Sequence, residues 1–386
     1  MAKFNYMLYF LFYYCATTLI MNITMIGAKN FEEVGGIEVH IKEISKRLVD
    51  RGHRVNTIVN NMGRKTSHEV IDGINVYRVP YIHSRYTTKL SMLPSLLWKA
   101  RKLETDIYHA HDVVGGFGSA LFLNAKPLIY TAHGIGYVRS DWTPPIRLSL
   151  WTMEQIIFRK VDKLLTVDYQ SKEILKRIRD DVQVIHNGVD LDRFKEKKDV
   201  PNEFNPDKLR VIFAGRLIPT KGAHLLIDSF NESNAELYII GKGPEEEKLK
   251  KMIAKKDNVK FIGYVNDIVP YFQHADIFVL PSIYEGLPIS LLEAMASSNA
   301  CIATDIADIS QRFKNGEELI LVEPGNVDEL SRALGDLIND EKKRRMLARN
   351  AKDKMKKDYD WDSIVDLIEG IYKETLNKAK KLSYRG

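Results

Sequence analysis

Cysteine is nearly missing from this 386-residue chain: there are two, Cys15 and Cys301, far apart and outside any Cys-x-x-Cys pair. Such usage builds neither a disulfide framework nor a cysteine zinc site, and it fits a reducing, cytoplasmic setting. Glycine and proline are modest, at 23 and 13 residues, which excludes a collagen-like or disordered composition. No clear sequence repeat recurs along the chain, so a solenoid is excluded. No stacked-aromatic or recognition-helix signature accompanies the basic residues, and no nucleic-acid partner is expected. Charge is also missing from Phe4 to Ala28, a run long enough for a signal peptide or a membrane span. Asn22–Gly27 reads instead as the buried first strand of a domain. Residues 1–20 are then a hydrophobic leader, either an upstream extension outside the fold, with Met21 close to the true start, or an N-terminal anchor.

What is present is a globular composition, 45% hydrophobic and 28% charged, on a chain of two-domain length. The net charge of +6 gathers late, in Lys342, Lys343, Arg344, Arg345 and Arg349, then in Lys373, Lys378, Lys380, Lys381 and Arg385. These clusters fit solvated helix faces; the sharper reading is peripheral contact with an anionic membrane or acceptor.

Short apolar runs alternate with amphipathic stretches, the pattern of parallel α/β layers. Strands are expected at Asn22–Gly27, Val55–Asn60, Val76–Pro80, Ile107–His111, Leu128–His133, Lys163–Asp168 and Val182–His186. A second series covers Val211–Ala214, Leu237–Ile240, Lys260–Ile262, Asp276–Leu280, Cys301–Thr304 and Leu319–Val322. A helix with Ile37, Ile41, Ile44 and Leu48 on one face joins the first two strands. Residues 21–190 form an N-terminal domain, 191–208 a charged hinge linker, and 209–357 a C-terminal domain. Residues 358–386 form a terminal helix with Ile364, Leu367, Ile368, Ile371 and Leu376 as its apolar stripe, placed to pack back across the first domain.

Several loops carry chemistry. Gly35-Gly36 opens the first helix, where free N–H groups and small residues suit a phosphate, or simply a tight turn. The pair is not a Gly-x-Gly-x-x-Gly dinucleotide fingerprint, which counts against an NAD enzyme. The stretch Gly215–Gly222 places Arg216 and Lys221 at the carboxyl end of a strand, where open α/β sheets bind ligands. An Arg fork and a Lys point charge on one loop suit a diphosphate and can neutralise a departing pyrophosphate without a metal. Glu285-Gly-Leu-Pro-Ile-Ser-Leu-Leu-Glu293 puts one carboxylate in a loop and the other over one turn inside a helix. That spacing argues against a glycosidase pair, whose carboxylates flank a sugar, and fits two carboxylates reading hydroxyls of one long ligand. His111 and His133 end two first-domain strands and share a rim, while no third metal ligand is evident. His186-Asn187-Gly188-Val189-Asp190 reads as a turn that sets the hinge.

Together these segments resemble the retaining nucleotide-sugar glycosyltransferases of family four, also called group one, over nearly the whole chain from Met21. The motifs that carry the likeness are Gly35–His40, His111-Asp112, His133, His186–Asp190, Arg216/Lys221, Glu285/Glu293 and the Trp361 segment. The resemblance implies an α/β GT-B fold, two Rossmann-like domains with parallel sheets facing across a cleft. It implies Arg216 and Lys221 on the donor diphosphate, with Gly35 and Gly36 approaching it from the other domain. Glu293 would hold the ribose, Glu285 the sugar hydroxyls, and the backbone of Leu287, Pro288, Ile289 and Ser290 would lie near the phosphate. His133 would touch the donor sugar near the reacting carbon, and His111 and Asp112 would lie on the acceptor side. The implied reaction moves a hexose from a nucleotide sugar to a hydroxyl acceptor, lipid-linked or glycan, with retention and with neither metal nor cofactor. One departure stands out: where many relatives carry Gly-Gly-x-Pro-Glu, this chain reads Ala307-Asp308-Ile309-Ser310-Gln311, which leaves donor and acceptor identity open. A GT-B nucleotide-sugar epimerase and an inactive sugar-nucleotide-binding subunit are the alternative readings.

Overall fold

The computed structural model describes residues 19–28, 36–61, 66–81, 88–138, 143–254, 256–283 and 285–383. Most of the leader, residues 1–18, lies outside the described residues, as does Gly35. Contacts divide the chain into two compact units, the first formed by residues up to Leu165 with Glu369 onward, the second by Thr166–Ile368. Among the described residues no helix is long and apolar enough to cross a membrane.

The first sheet has eight strands: β1 Asn22–Ile26, β2 Arg54–Asn61, β3 Ser67–Ile71, β4 Ile74–Pro80, β5 Ile107–Ala110, β6 Leu128–Ala132, β7 Lys163–Thr166 and β8 Gln183–Val184. Their order is β3-β4-β2-β1-β5-β6-β7-β8. β1 is central, pairing parallel with β2 on one side and β5 on the other, so that Ile26 lies level with both Ile58 and Ala110. β5 and β6 are buried along their whole length, as expected for parallel strands covered on both faces. The sequence reading missed β3, which pairs antiparallel with β4 and is exposed along nearly all of its length. Between them Asp72 and Gly73 both take left-handed φ, the backbone of a two-residue hairpin turn.

The helix Gly36–Asp50 turns His40, Ile41, Ile44 and Leu48 into the core. Further on, Glu154 of the helix Pro144–Lys160 is fully buried and accepts bonds from the N–H groups of Gly136 (2.8 Å) and Tyr137 (3.2 Å). It thereby fixes the turn that follows His133. Burial pushes its carboxyl up to about 7, against the opposing pull of those two N–H groups.

The second sheet has six strands: β9 Leu209–Ala214, β10 Ala235–Ile240, β11 Val259–Gly263, β12 Ile277–Leu280, β13 Ala300–Thr304 and β14 Ile320–Val322. The order β11-β10-β9-β12-β13-β14 is the doubly wound 3-2-1-4-5-6 arrangement. Its two faces are filled by separate clusters, one around Ile212, Phe278 and Met295, the other around Val211, Phe213 and Leu237. The loops after β9 and β10 touch backbone to backbone. Gly241 has φ +143°, and a Cβ there would sit 1.9 Å from the Gly215 carbonyl oxygen.

The terminal helix runs Trp361–Ser383. Ile364, Ile368, Ile371 and Leu376 are buried as expected, but Leu367 is 54% exposed. The buried stripe runs through Val365 and Tyr372 instead, because helical periodicity groups 361, 364, 365, 368, 371 and 372 and leaves 367 outside. In the first unit, Tyr372 Oη lies 2.6 Å from His109 Nδ1, and Glu369 forms an ion pair with Arg51 at 3.2 Å.

Two expectations follow for stability. Gly241→Ala should cost about 3 kcal/mol or more, since both φ and the Gly215 contact forbid a side chain. Gly370→Ala, in the terminal helix with open space around it, should stabilise by about 0.5–1 kcal/mol. Urea unfolding measures both, and equal effects would contradict the packing described. Glu154 adds a pH dependence. Its folded pKa lies above the ordinary carboxylate value, so its contribution is fully present below about pH 4.5 and is lost as pH rises through about 7. Melting curves at pH 5 and 7.5 should show a smaller pH-dependent drop for Glu154→Gln than for the natural chain, and identical drops would refute the assignment.

Candidate functional site

In the second unit the direction of chain progression reverses between β9 and β12, and the loops that leave these neighbouring strands open a crevice at their carboxyl ends. The loop after β9 carries Arg216, exposed, and Lys221 at the end of a short 3₁₀ turn, Pro219–Lys221. It is held from two sides: Leu217 N–H donates to Lys242 O at 3.0 Å, and Ile283 N–H donates to Thr220 O at 2.8 Å. Gly222 permits the second contact, since a Cβ at that position would sit 2.0 Å from the Pro281 carbonyl oxygen.

Across this crevice Lys221 forms an ion pair with Glu285, which also accepts from Ser282 Oγ at 3.1 Å. Glu285 lies in the loop after β12, as read from sequence. Pro288 caps the helix Ile289–Ala296, with Leu287 and Pro288 buried and Ile289 and Ser290 half-buried. The free N–H groups at the start of this helix point the positive end of its dipole towards the crevice.

Glu293 does not face solvent. Its side chain is 12% exposed and accepts from Arg193 Nη1 at 2.6 Å. Burial pushes the Glu293 carboxyl up, and Arg193 offsets only part of that shift. The crevice thus offers the cations Arg216 and Lys221, a helix N-terminus and two carboxylates, Glu285 paired with Lys221 and Glu293 with Arg193. Such a set can bind a diphosphate and several hydroxyls of one extended ligand.

The altered segment Ala307–Gln311 is a short helix, Ala307–Ser310, rather than an open loop. Buried Asp308 accepts from Tyr169 N–H at 2.7 Å and lies 3.7 Å from Arg312. His186 stacks on Tyr359 with ring centroids 4.3 Å apart, and Val189 N–H donates to Tyr359 O at 2.8 Å. The turn 186–190 is therefore fastened to the segment leading into the terminal helix. Burial, aided by Arg312, pushes the His186 imidazole down to about 4.

In the first unit the corresponding reversal lies between β1 and β5. His111 and His133 stand one residue past β5 and β6, and His111 Nδ1 lies 3.2 Å from His133 Nε2. Asp112 caps the helix Val113–Phe122 through Gly115 N–H at 2.9 Å. Gly36, the first residue of its helix, is exposed with open space around it. His109 is buried behind this pair, its Nδ1 engaged by Tyr372 and its Nε2 by Thr131 at 2.7 Å. Burial and the neighbouring imidazoles push His109 down to about 3 and hold His111 and His133 well below the ordinary histidine value. All three are neutral near pH 7.

Two residues here are not among the candidate site residues read from sequence, although His40 closes the Gly35–His40 motif. His40 packs beside His111 and His133, with ring centroids 5.5 and 4.8 Å away. Its signal was available: position 40 falls four before Ile44 and three after Ile37, on the apolar stripe of that helix. Arg193 gave no such signal, because its partner lies 100 residues away in sequence.

Comparison with known proteins agrees with the fold. Residues 194–354 match the family described as glycosyl transferases group 1, and residues 34–193 match glycosyltransferase family 4. An uncharacterised glycosyltransferase of Methanocaldococcus jannaschii is 27% identical, over 88% of this chain and 94% of its own. An Escherichia coli UDP-Gal:α-D-GlcNAc-diphosphoundecaprenol α-1,3-galactosyltransferase is 26% identical, over 82% of this chain and 88% of its own. Among solved structures, sucrose-phosphate synthase of Thermosynechococcus elongatus superposes with a TM-score of 0.78 at 17% identity, covering 93% of this chain and 100% of the other. With these two family models matched in succession along the chain and the fold shared with that structure, the chain belongs to the group 1, family 4 glycosyltransferases with the GT-B fold.

Proposed function

We propose that this enzyme moves a hexose from a nucleotide-diphosphate sugar to a hydroxyl acceptor, retaining the anomeric configuration and using no metal. The observation that carries the proposal is the Lys221–Glu285 pair beside Arg216 at the crevice of the second sheet. A cation without a ligand rests on the nearest carboxylate. An arriving diphosphate offers Lys221 a stronger partner and frees Glu285 to accept from sugar hydroxyls. Arg216, Lys221 and the N–H groups of Leu287, Ile289 and Ser290 would then hold charge that builds on the leaving phosphate. Glu293, positioned by Arg193, would read the ribose, and His133 would contact the sugar near its reacting carbon.

In this reaction the bond from the anomeric carbon to the phosphate oxygen breaks as the acceptor oxygen bonds to the same face of that carbon. The departing phosphate oxygen takes the acceptor proton, so atoms and charge balance without a protein nucleophile. The E. coli relative is named for a UDP-Gal donor and a lipid-diphosphate acceptor, which supports a nucleotide sugar and a lipid-linked or glycan acceptor here. The late cations favour solvated helix faces over a lipid patch: Arg344 bonds the carbonyls of Leu337 and Ile338, and Arg345 and Lys343 pair with Glu341 and Asp336.

Steady-state kinetics with EDTA present, beside calorimetry with free nucleoside diphosphates, test this reading. Turnover should survive chelation, and Lys221→Ala should lower it by roughly 10²–10³. Glu285→Ala should depress turnover while leaving the diphosphate bound as well as before or better, because Lys221 is no longer shared. Glu293→Ala should chiefly weaken the free nucleotide. Activity abolished by EDTA and restored by Mg²⁺ would overturn the metal-free mechanism. Two glutamate variants that lose nucleotide equally and keep saturated turnover would overturn the division of labour.

A further inference from the structure

The imidazoles of the first unit are arranged in a way that sugar binding does not require. His40, His111 and His133 come from the helix Gly36–Asp50 and from the ends of β5 and β6, and one nitrogen from each lies within 4.8 Å of the other two. Ring centroids are separated by 5.5 Å (His40–His111), 4.8 Å (His40–His133) and 5.4 Å (His111–His133). Three imidazoles on one tetrahedral ion, each bound at about 2.0–2.1 Å, have centroids about 5 Å apart and nitrogens about 3.3 Å apart. The His111 Nδ1 to His133 Nε2 distance of 3.2 Å already matches that edge.

The chemistry agrees with the geometry. His40 and His111 are almost wholly buried, while His133 is half-buried and opens the group to solvent. Among the described residues His111 Nε2 has no hydrogen-bond partner, and the one hydrogen bond shown for that ring is between its Nδ1 and His133 Nε2. The groups acting electrostatically on His111 and His133 are other histidines. His109, although its ring centroid is 4.0 Å from that of His111, is excluded as a ligand because Tyr372 and Thr131 occupy both its nitrogens.

We propose that His40, His111 and His133 form a binding site for one borderline divalent cation of the zinc class, with its fourth position open on the side of His133. Three neutral nitrogens select Zn²⁺, Co²⁺ or Ni²⁺ over the oxygen-seeking Mg²⁺ and Ca²⁺. The site's three ligands all belong to the first unit, and none of them is a residue assigned to the diphosphate. Its consequence for transfer rests on the proposed contact of His133 with the donor sugar: a ligated His133 cannot make that contact, and zinc inhibits.

The untagged full chain, stripped of metal by chelation and dialysis, is titrated with Co²⁺ and read by visible absorption, and with Zn²⁺ by calorimetry. The expected result is one ion per chain, with the intense visible bands of tetrahedral Co²⁺ and no uptake of Mg²⁺. His40→Ala and His111→Ala should each weaken Zn²⁺ by roughly 10²-fold or more, as for loss of one ligand from a minimal set. His68→Ala, on exposed β3, should bind as the natural chain does. Melting curves confirm that the variants fold, and the natural chain alone decides the matter if they do not. Absence of stoichiometric uptake by the natural chain, or uptake unchanged in a folded His40→Ala, overturns the site whatever the activity. Uptake that inhibits transfer, with inhibition relieved by EDTA and lost in His40→Ala, supports both the site and the contact of His133. Uptake that leaves transfer unchanged keeps the site and removes His133 from the reaction.

Discussion

Parallel pairing is the constraint on which both units depend. A parallel neighbour can be reached only by a crossover, so a chain that starts at the centre of a sheet must build outward first to one side and then to the other. β1 and β9 are those central strands. Where the direction reverses, the two loops at the carboxyl ends part and leave a crevice. Arg216, Lys221 and Glu285 stand at one reversal. Gly27 and His111, whose N–H donates to Ile26 O at 2.8 Å, stand at the other. The chemistry of each unit is therefore placed by strand order before any particular side chain is chosen.

Charge is handled differently at the two reversals. In the second unit each carboxylate has a cation: Lys221 for Glu285, Arg193 for Glu293. Glu293 is nearly buried, and without Arg193 its ionised form would be costly to hold there. Among the described residues of the first unit no carboxylate–cation pair is seen at His111 and His133, and burial holds both imidazoles well below the ordinary histidine value. One crevice is built to exchange ionic partners, the other to present neutral nitrogens.

Much of this was legible in the sequence. The buried parallel strands read as apolar runs, and the cations of the β9 loop announced themselves by lying between a strand and a helix. β3 was missed because it is polar and exposed, although Asp72-Gly73 between two short runs is a hairpin signal. Leu367 was placed on the wrong face because the run Ile364–Ile371 is apolar on more than one side. His40 could have been found from helical spacing alone. Arg193 could not, because nothing local marks a residue whose partner is supplied by tertiary packing. Nor does sequence show that Ala307–Ser310 closes into a helical turn around buried Asp308.

Protein cations alone should hold a diphosphate in the second-sheet crevice. A crystal structure with a nucleoside diphosphate, grown in EDTA, tests it most directly. Expected are phosphate oxygens bonded by Arg216 and Lys221 Nζ, Lys221 withdrawn from Glu285, and ribose hydroxyls on Glu293. Phosphates bound elsewhere, or a Lys221–Glu285 pair left intact beside an occupied nucleotide site, would contradict it.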